Sequence, residues 1–140
     1  MFLEHVNFTV ADLDRSIDFY CRLLGLRLRW HRAAGESTAA AHVGDDRHYL
    51  AMFQARPDAS RPPTDYESVG LNHFGFVVDD LDRARSRLQE LGIIPHSEAD
   101  YEPGRRLYFY DPDGIEVELV EYDPADAPSG GEDSGGLSRS

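Results

Sequence analysis

Apolar and polar positions alternate twice along this chain, in the same way each time. Between positions 3 and 10, Val6, Phe8 and Val10 fall on one side of an extended segment and His5, Asn7 and Thr9 on the other, which predicts a half-buried strand. Between positions 71 and 78, Phe74, Phe76 and Val78 alternate with His73, Gly75 and Val77. After each strand the period changes to that of a helix. Leu13, Ile17, Tyr20 and Leu24 form one stripe that stops at Gly25, and Leu81, Ala84, Leu88 and Leu91 form a second that stops at Gly92. Asp12 and Asp80 stand where N-caps are expected, with acids near the positive helix end. Three further strands are expected in each half: near 27–31, 39–43 and 48–55, and near 94–95, 107–110 and 115–122. Asp111-Pro112-Asp113-Gly114 predicts the turn of the last hairpin.

The parallel between the halves is one of residues as well as pattern. Residues 3–15 reappear as residues 71–83 at a constant offset of 68, with eight of thirteen positions identical. Chance would give about one identity in such a window. The sequence therefore predicts an α+β fold of two tandem βαβββ modules, residues 1–56 and 70–122, joined by a linker over 57–69 rich in proline and turn formers. One face of each sheet lies under a helix; the other is free for chemistry.

Composition narrows that chemistry. The 140 residues carry 26 acids against 14 bases, a net charge of −12, which disfavours nucleic acid as a partner. Every base is an arginine, so Schiff-base chemistry and a lysine general base are excluded. The single cysteine, Cys21, excludes an internal disulfide and a thiolate-rich zinc site. No window approaches the ~20 apolar residues of a membrane span, and residues 1–5 do not open a secretory signal, so a cytoplasmic location away from membranes is expected. Residues 123–140 hold one large apolar residue, four glycines and four acids against one arginine, and read as a disordered acidic tail.

His5 and His73 occupy the same position in the two repeats, on the faces away from the helices. In the last strand, Glu116 and Glu118 share the face opposite Ile115, Val117 and Leu119. Two histidines and Glu118 make a two-nitrogen, one-carboxylate set that suits Fe(II), Mn(II), Ni(II), Co(II) or Zn(II) and leaves coordination positions open. Glu116, nearer the rim, reads as a solvated carboxylate.

The repeat, the two strand histidines and the run from Phe109 to Glu118 through Asp-Pro-Asp-Gly resemble the vicinal oxygen chelate superfamily over residues 1–122. This superfamily includes glyoxalase I, extradiol dioxygenases, fosfomycin-resistance enzymes and bleomycin-resistance proteins. The resemblance implies a cup-shaped mixed sheet with helices outside, metal ligands at His5, His73 and Glu118, a small-molecule substrate bound through two vicinal oxygens, and a homodimer in which a site can draw ligands from two chains. A fourth ligand position in the last strand of module one falls on Gln54 or, with a shortened hairpin, on Ala51; neither is the glutamate of isomerase-type members. His48 resembles the acid/base histidine of extradiol dioxygenases, and alternatively is a surface turn residue. Tyr110 resembles their substrate-binding tyrosine, and alternatively packs. The expected activity is thus an Fe(II)-dependent extradiol-type dioxygenase, with a glyoxalase-type lyase or isomerase and a non-catalytic drug-binding protein as the alternatives. Fosfomycin-type thiol addition is disfavoured by the missing lysine. His31, His42, His96 and Cys21 have no assigned partners, Arg105-Arg106 could steer an anion or be solvated, and Tyr66, Tyr101 and Tyr108 could line the cup or pack.

Overall fold

In the computed structural model, which describes residues 1–35 and 37–127, both modules take the predicted order. Module one runs β1 (His5–Val10), α1 (Leu13–Leu24), β2 (Arg27–Arg32), β3 (Ala40–Gly44) and β4 (Tyr49–Gln54). Module two runs β5 (His73–Val77), α2 (Leu81–Glu90), β6 (Ser97–Tyr101), β7 (Gly104–Tyr110) and β8 (Glu116–Tyr122). The strand orders are β1-β4-β3-β2 and β5-β8-β7-β6, each with one parallel pair at the first strand and antiparallel pairs beyond. No helix is long and apolar enough to cross a membrane among the described residues.

The helix starts show why the repeat folds twice. Asp12 accepts from Arg15 N at 3.1 Å and Asp80 from Arg83 N at 3.0 Å, satisfying one orphan amide of each first turn. A second amide is satisfied from across the sheet: Gln54 Oε1 accepts from Leu13 N at 2.8 Å, and Glu121 Oε2 from Leu81 N at 2.6 Å. At the end of α1, Gly25 takes a left-handed φ of 67° and its N–H closes onto Cys21 O.

Leu13, Phe19, Tyr20 and Leu23 of α1 and Leu81, Ala84 and Leu88 of α2 bury against Val43, Met52, Leu107, Phe109, Val117 and Leu119 of the two sheets in one continuous core. The Asp-Pro-Asp-Gly turn does more than reverse the chain. Asp111 Oδ1 accepts from Asp113 N and Ile115 N at 2.8 and 2.9 Å, while its Oδ2 accepts from the buried Tyr20 hydroxyl of α1 at 2.6 Å. Asp113 accepts from Ala11 N and pairs with Arg15 at 3.0 Å. The turn of module two is therefore a clasp on the first helix of module one.

One expected strand is misplaced. Residues 94–95 are not extended in a ladder, and the edge strand is instead Ser97–Tyr101. Ile93 is apolar because it closes the helix end: its N–H donates to Leu88 O at 2.9 Å and it packs on the core. Ser-Glu-Ala-Asp-Tyr carries almost no apolar signal because an edge strand needs none on its solvent side. In the expected tail, residues 123–127 are placed, with Asp123 N donating to Pro103 O; 128–140 lie outside the described residues.

Candidate metal and substrate site

The free face of module two gathers polar groups from three strands by register. β5 pairs His73 with Glu116 and Gly75 with Glu118, and β7 pairs Tyr110 with Glu116 and Tyr108 with Glu118. His73, Glu116, Glu118, Tyr108 and Tyr110 therefore point to one side. His73 Nε2 lies 3.1 Å from Glu118 Oε2 and its Nδ1 lies 3.3 Å from Glu116 Oε1. Arg106 Nη1 donates to Glu118 Oε1 at 3.2 Å, and its buried Nε has no partner among the described residues.

Glu116 is not the solvated rim carboxylate its sequence position suggested. It is 3% exposed and collects three partners: the Tyr66 hydroxyl, His73, and His96 Nε2 at 2.9 Å. The hydrogen bond to Glu116 pushes the Tyr66 phenol up to about 12. His96 stacks on Tyr110 with ring centroids 4.4 Å apart. Tyr66 and His96 thus join the cluster through three-dimensional contacts. Tyr66 comes from the linker and His96 from the loop before β6, where no periodicity could place them.

The free face of module one differs. His5 is stacked on Tyr49 at 4.8 Å, with its Nδ1 2.9 Å from Glu4 Oε1. Within one chain it does not meet His73 and Glu118. Among the described residues, the group of three histidine, cysteine or acid ligand atoms that converges within 4.8 Å is Glu102, Asp123 and Asp126, all exposed. A cavity of about 710 Å³ lies between β1, the linker and β5, with His73 in its wall but not Glu118.

Two further candidates find structural work. Gln54 pairs with Val10 in β1, so it projects to the helix side, opposite His5, and its amide is spent on Leu13 N and Ala11 O at the start of α1. Its counterpart Glu121 does the same for α2, so Gln54 is a helix cap and not positioned as a ligand. The position that matches Glu118 by register is Ala51: it faces Asn7 as Glu118 faces Gly75. His48 sits in the β3–β4 turn, its backbone N–H donating to Asp45 at 2.7 Å and its ring edge-on to Phe2, in neither cluster. Tyr110 lies on the site face, stacked on His96.

The profile of the Glyoxalase/Bleomycin resistance protein/Dioxygenase superfamily matches residues 2–119. The chain belongs to this superfamily. Glutathione transferase FosA of Serratia marcescens is 32% identical over 121 residues, covering 84% of this chain and 78% of that protein. Catechol-2,3-dioxygenase of Bacillus subtilis is 32% identical over 122 residues, covering 84% of this chain but 40% of the enzyme. A glyoxylase/bleomycin resistance protein/dioxygenase domain from Frankia sp. EAN1pec superposes with a TM-score of 0.73 at 24% identity, covering 88% of this chain and 98% of that one. Superfamily membership fits the α+β tandem architecture, and the relatives span transferase and dioxygenase names.

The donor set of module two suits the metal chemistry of the superfamily. His73 Nε2 and Glu118 Oε2 lie side by side, and Glu116 engages the other ring nitrogen, the arrangement that fixes the orientation of a metal-binding imidazole. No thiolate is near.

Proposed function

We propose that the protein is a divalent-metal enzyme that acts on a small molecule held through two vicinal oxygens, with Fe(II)-dependent extradiol-type oxygenation as the leading reaction. The observation that carries this reading is the His73–Glu118 pair, oriented by Glu116 and flanked by Tyr108, Tyr110 and the spare Nε–H of Arg106. His5, His73 and Glu118 would hold the ion. A metal there supplies Lewis-acid charge to adjacent substrate oxygens. The chain's own groups do the rest: Tyr108 and Tyr110 offer hydroxyls to substrate oxygens, Arg106 offers a donor beside Glu118, and His96, against Tyr110 and Glu116, is the imidazole suited to hold or pass a proton. This moves the proton-handling role from His48 to His96. Ala51 at the register position of Glu118 removes the carboxylate base that glyoxalase-type proton transfer would need, so that reading is weaker.

Because His5 stands apart from His73 and Glu118 in one chain, the reading requires a homodimer in which His5 of one copy faces His73 and Glu118 of the other. Co-expressing H5A and H73A chains tests this. Each alone should lose stoichiometric metal, and the mixture should recover about a quarter of wild-type sites by random pairing. No recovery would exclude the shared site. Anaerobic Fe(II) loading followed by oxygen uptake with a catechol panel tests the reaction. Uptake with none of them, together with turnover of a hemithioacetal on Ni(II) or Zn(II), would replace oxygenation by isomerisation. The likeness to FosA favours one second reading, transfer of a glutathione thiol to an electrophile, which the same loaded protein would reveal as loss of free thiol.

A further inference from the structure

The free face of module one carries an arrangement of which the metal reading uses only His5. One ring comes from each of its four strands, and the four stand in sequence across the sheet. His5 of β1 stacks on Tyr49 of β4 at 4.8 Å, Tyr49 stacks on His42 of β3 at 4.5 Å, and His42 lies against Trp30 of β2 at 4.8 Å. Register produces the row: His5 pairs with Tyr49, and Trp30 with His42. The bulge between Leu28 and Trp30 lets Arg29 reach the same face. Its guanidinium carbon lies 4.6 Å from the Tyr49 ring centre, and that of Arg32 lies 5.6 Å from Trp30.

These features are unusual in a chain of net charge −12. Neither Arg29 nor Arg32 has a carboxylate within ion-pair distance among the described residues, whereas Arg15, Arg27, Arg85, Arg105 and Arg106 all do. Arg32 spends two of its five N–H groups on Thr38 O, at 3.0 and 2.8 Å, which holds the guanidinium beside Trp30 and leaves three donors over. Trp30 is 42% exposed, a large apolar ring left in water. A depression of about 150 Å³ is walled by Trp30, Arg32, His42, Tyr49 and Ala51. That is the volume of a cavity known to accept benzene. Ala51 contributes by being small where module two has Glu118.

We propose that this face is an aromatic platform for the substrate, and that the substrate is a planar aromatic ring bearing an anionic group, its ring seated in the depression against Trp30, His42 and Tyr49 and its anion on Arg32 and Arg29. The proposal rests on the metal reading above for the identity of the bound molecule as substrate, since the row ends at His5. The row itself needs no metal. The rings, stacked on one another at 19° and 29° and tilted by 45° at Trp30, wall a depression for an aromatic ring, and Arg29 and Arg32, which form no ion pair among the described residues, supply the charge complement.

The test separates the two ideas by using probes without vicinal oxygens, on protein kept metal-free with a chelator. Trp30 is the only tryptophan, so its fluorescence reports occupancy directly. Benzoate has the ring and the anion, benzyl alcohol the ring alone, and cyclohexanecarboxylate the anion without a flat ring. Benzoate should quench Trp30 saturably and bind about tenfold more tightly than either control. R32Q should abolish its advantage over benzyl alcohol, and calorimetry on W30L should show benzoate affinity falling to that of cyclohexanecarboxylate. Equal affinities for the three probes, no saturable change, or an unaltered benzoate preference in R32Q would overturn the platform. Metal binding that persists alongside such a failure would leave the proposed function standing. Benzoate binding in a protein that takes up no metal would leave the platform and remove the enzyme.

Discussion

The two modules share a fold, a strand order and thirteen aligned opening residues, yet their free faces have opposite chemistry. Position by position, Tyr49 of module one stands where module two has Glu116, Ala51 where it has Glu118, and His42 where it has Tyr108. His5 and His73 are what stays the same. Module one thus presents rings and arginines that form no ion pair among the described residues, and module two presents carboxylates held by tyrosine, histidine and arginine. The helix-facing sides hardly diverge: Asp12 and Asp80 cap alike, and Gln54 and Glu121 brace alike. Packing and caps constrain one face of a duplicated sheet, which leaves the other free to specialise.

The sharpest way to break this comparison is to remove the metal-side groups from one module and the matching residues from the other. Glu118→Ala should abolish stoichiometric divalent metal uptake, measured by metal analysis after dialysis, because a ligand carboxylate is lost and Arg106 is left without its acid. Tyr49→Phe on module one should leave uptake unchanged. Glu116→Gln should be intermediate, weakening the metal by about 10–100-fold, the usual cost of losing the group that orients a ligand imidazole. If Glu116→Gln and Tyr49→Phe behaved alike, Glu116 would be a packing residue.

The next effect is on stability and concerns the joint between modules. Tyr20→Phe removes the hydroxyl that donates to Asp111 and should cost about 1–2 kcal/mol, read as a lower urea midpoint at unchanged slope. Burial already pushes the Asp111 carboxyl upward, and the Tyr20 hydrogen bond opposes that by favouring the charged form. Its ionisation therefore costs stability as pH rises through its raised native value, and losing Tyr20 raises that cost. The destabilisation should be greater at pH 7 than at pH 4. A pH-independent difference would mean that the lost contact is packing alone.

How much of this was legible in sequence follows from what each residue answers to. His5, His73, Glu118 and the two helix stripes are visible because strand and helix periods fix them locally and the repeat states them twice. Gln54 and Ala51 could not be separated by pattern, since a one-residue shift in a strand reverses its faces; only the pairing of Gln54 with Val10 decides it. Tyr66 and His96 were beyond reach because they arrive from segments without period, and Glu116 looked solvated because the groups that cover it are those two. The Asp-Pro-Asp-Gly turn was visible as a turn, but its grip on Tyr20 and Arg15 is a contact across some ninety residues.

The smallest predicted effect compares two aligned acids. Asp14 and Asp82 are the same residue of the repeat, on the first turns of α1 and α2. Asp82 is clamped by Arg105 at 2.8 Å and Arg85 at 2.6 Å, and the Arg105 and then the Arg85 hydrogen bonds hold its carboxyl down at about 2 from an ordinary 3.8. Asp14 forms no ion pair among the described residues. A depressed native value means that the clamp's contribution is complete above pH 3.8 and is lost as pH falls toward 2. D82N should therefore lower the urea midpoint slightly at pH 7, because the clamp lies on the surface, and the gap from wild type should persist to pH 3.8 and close toward pH 2. D14N, which removes no arginine clamp among the described residues, should lower the midpoint at pH 7 less than D82N does. A gap for D82N that is flat across the acid range would mean that the arginines on Asp82 add nothing through its charge.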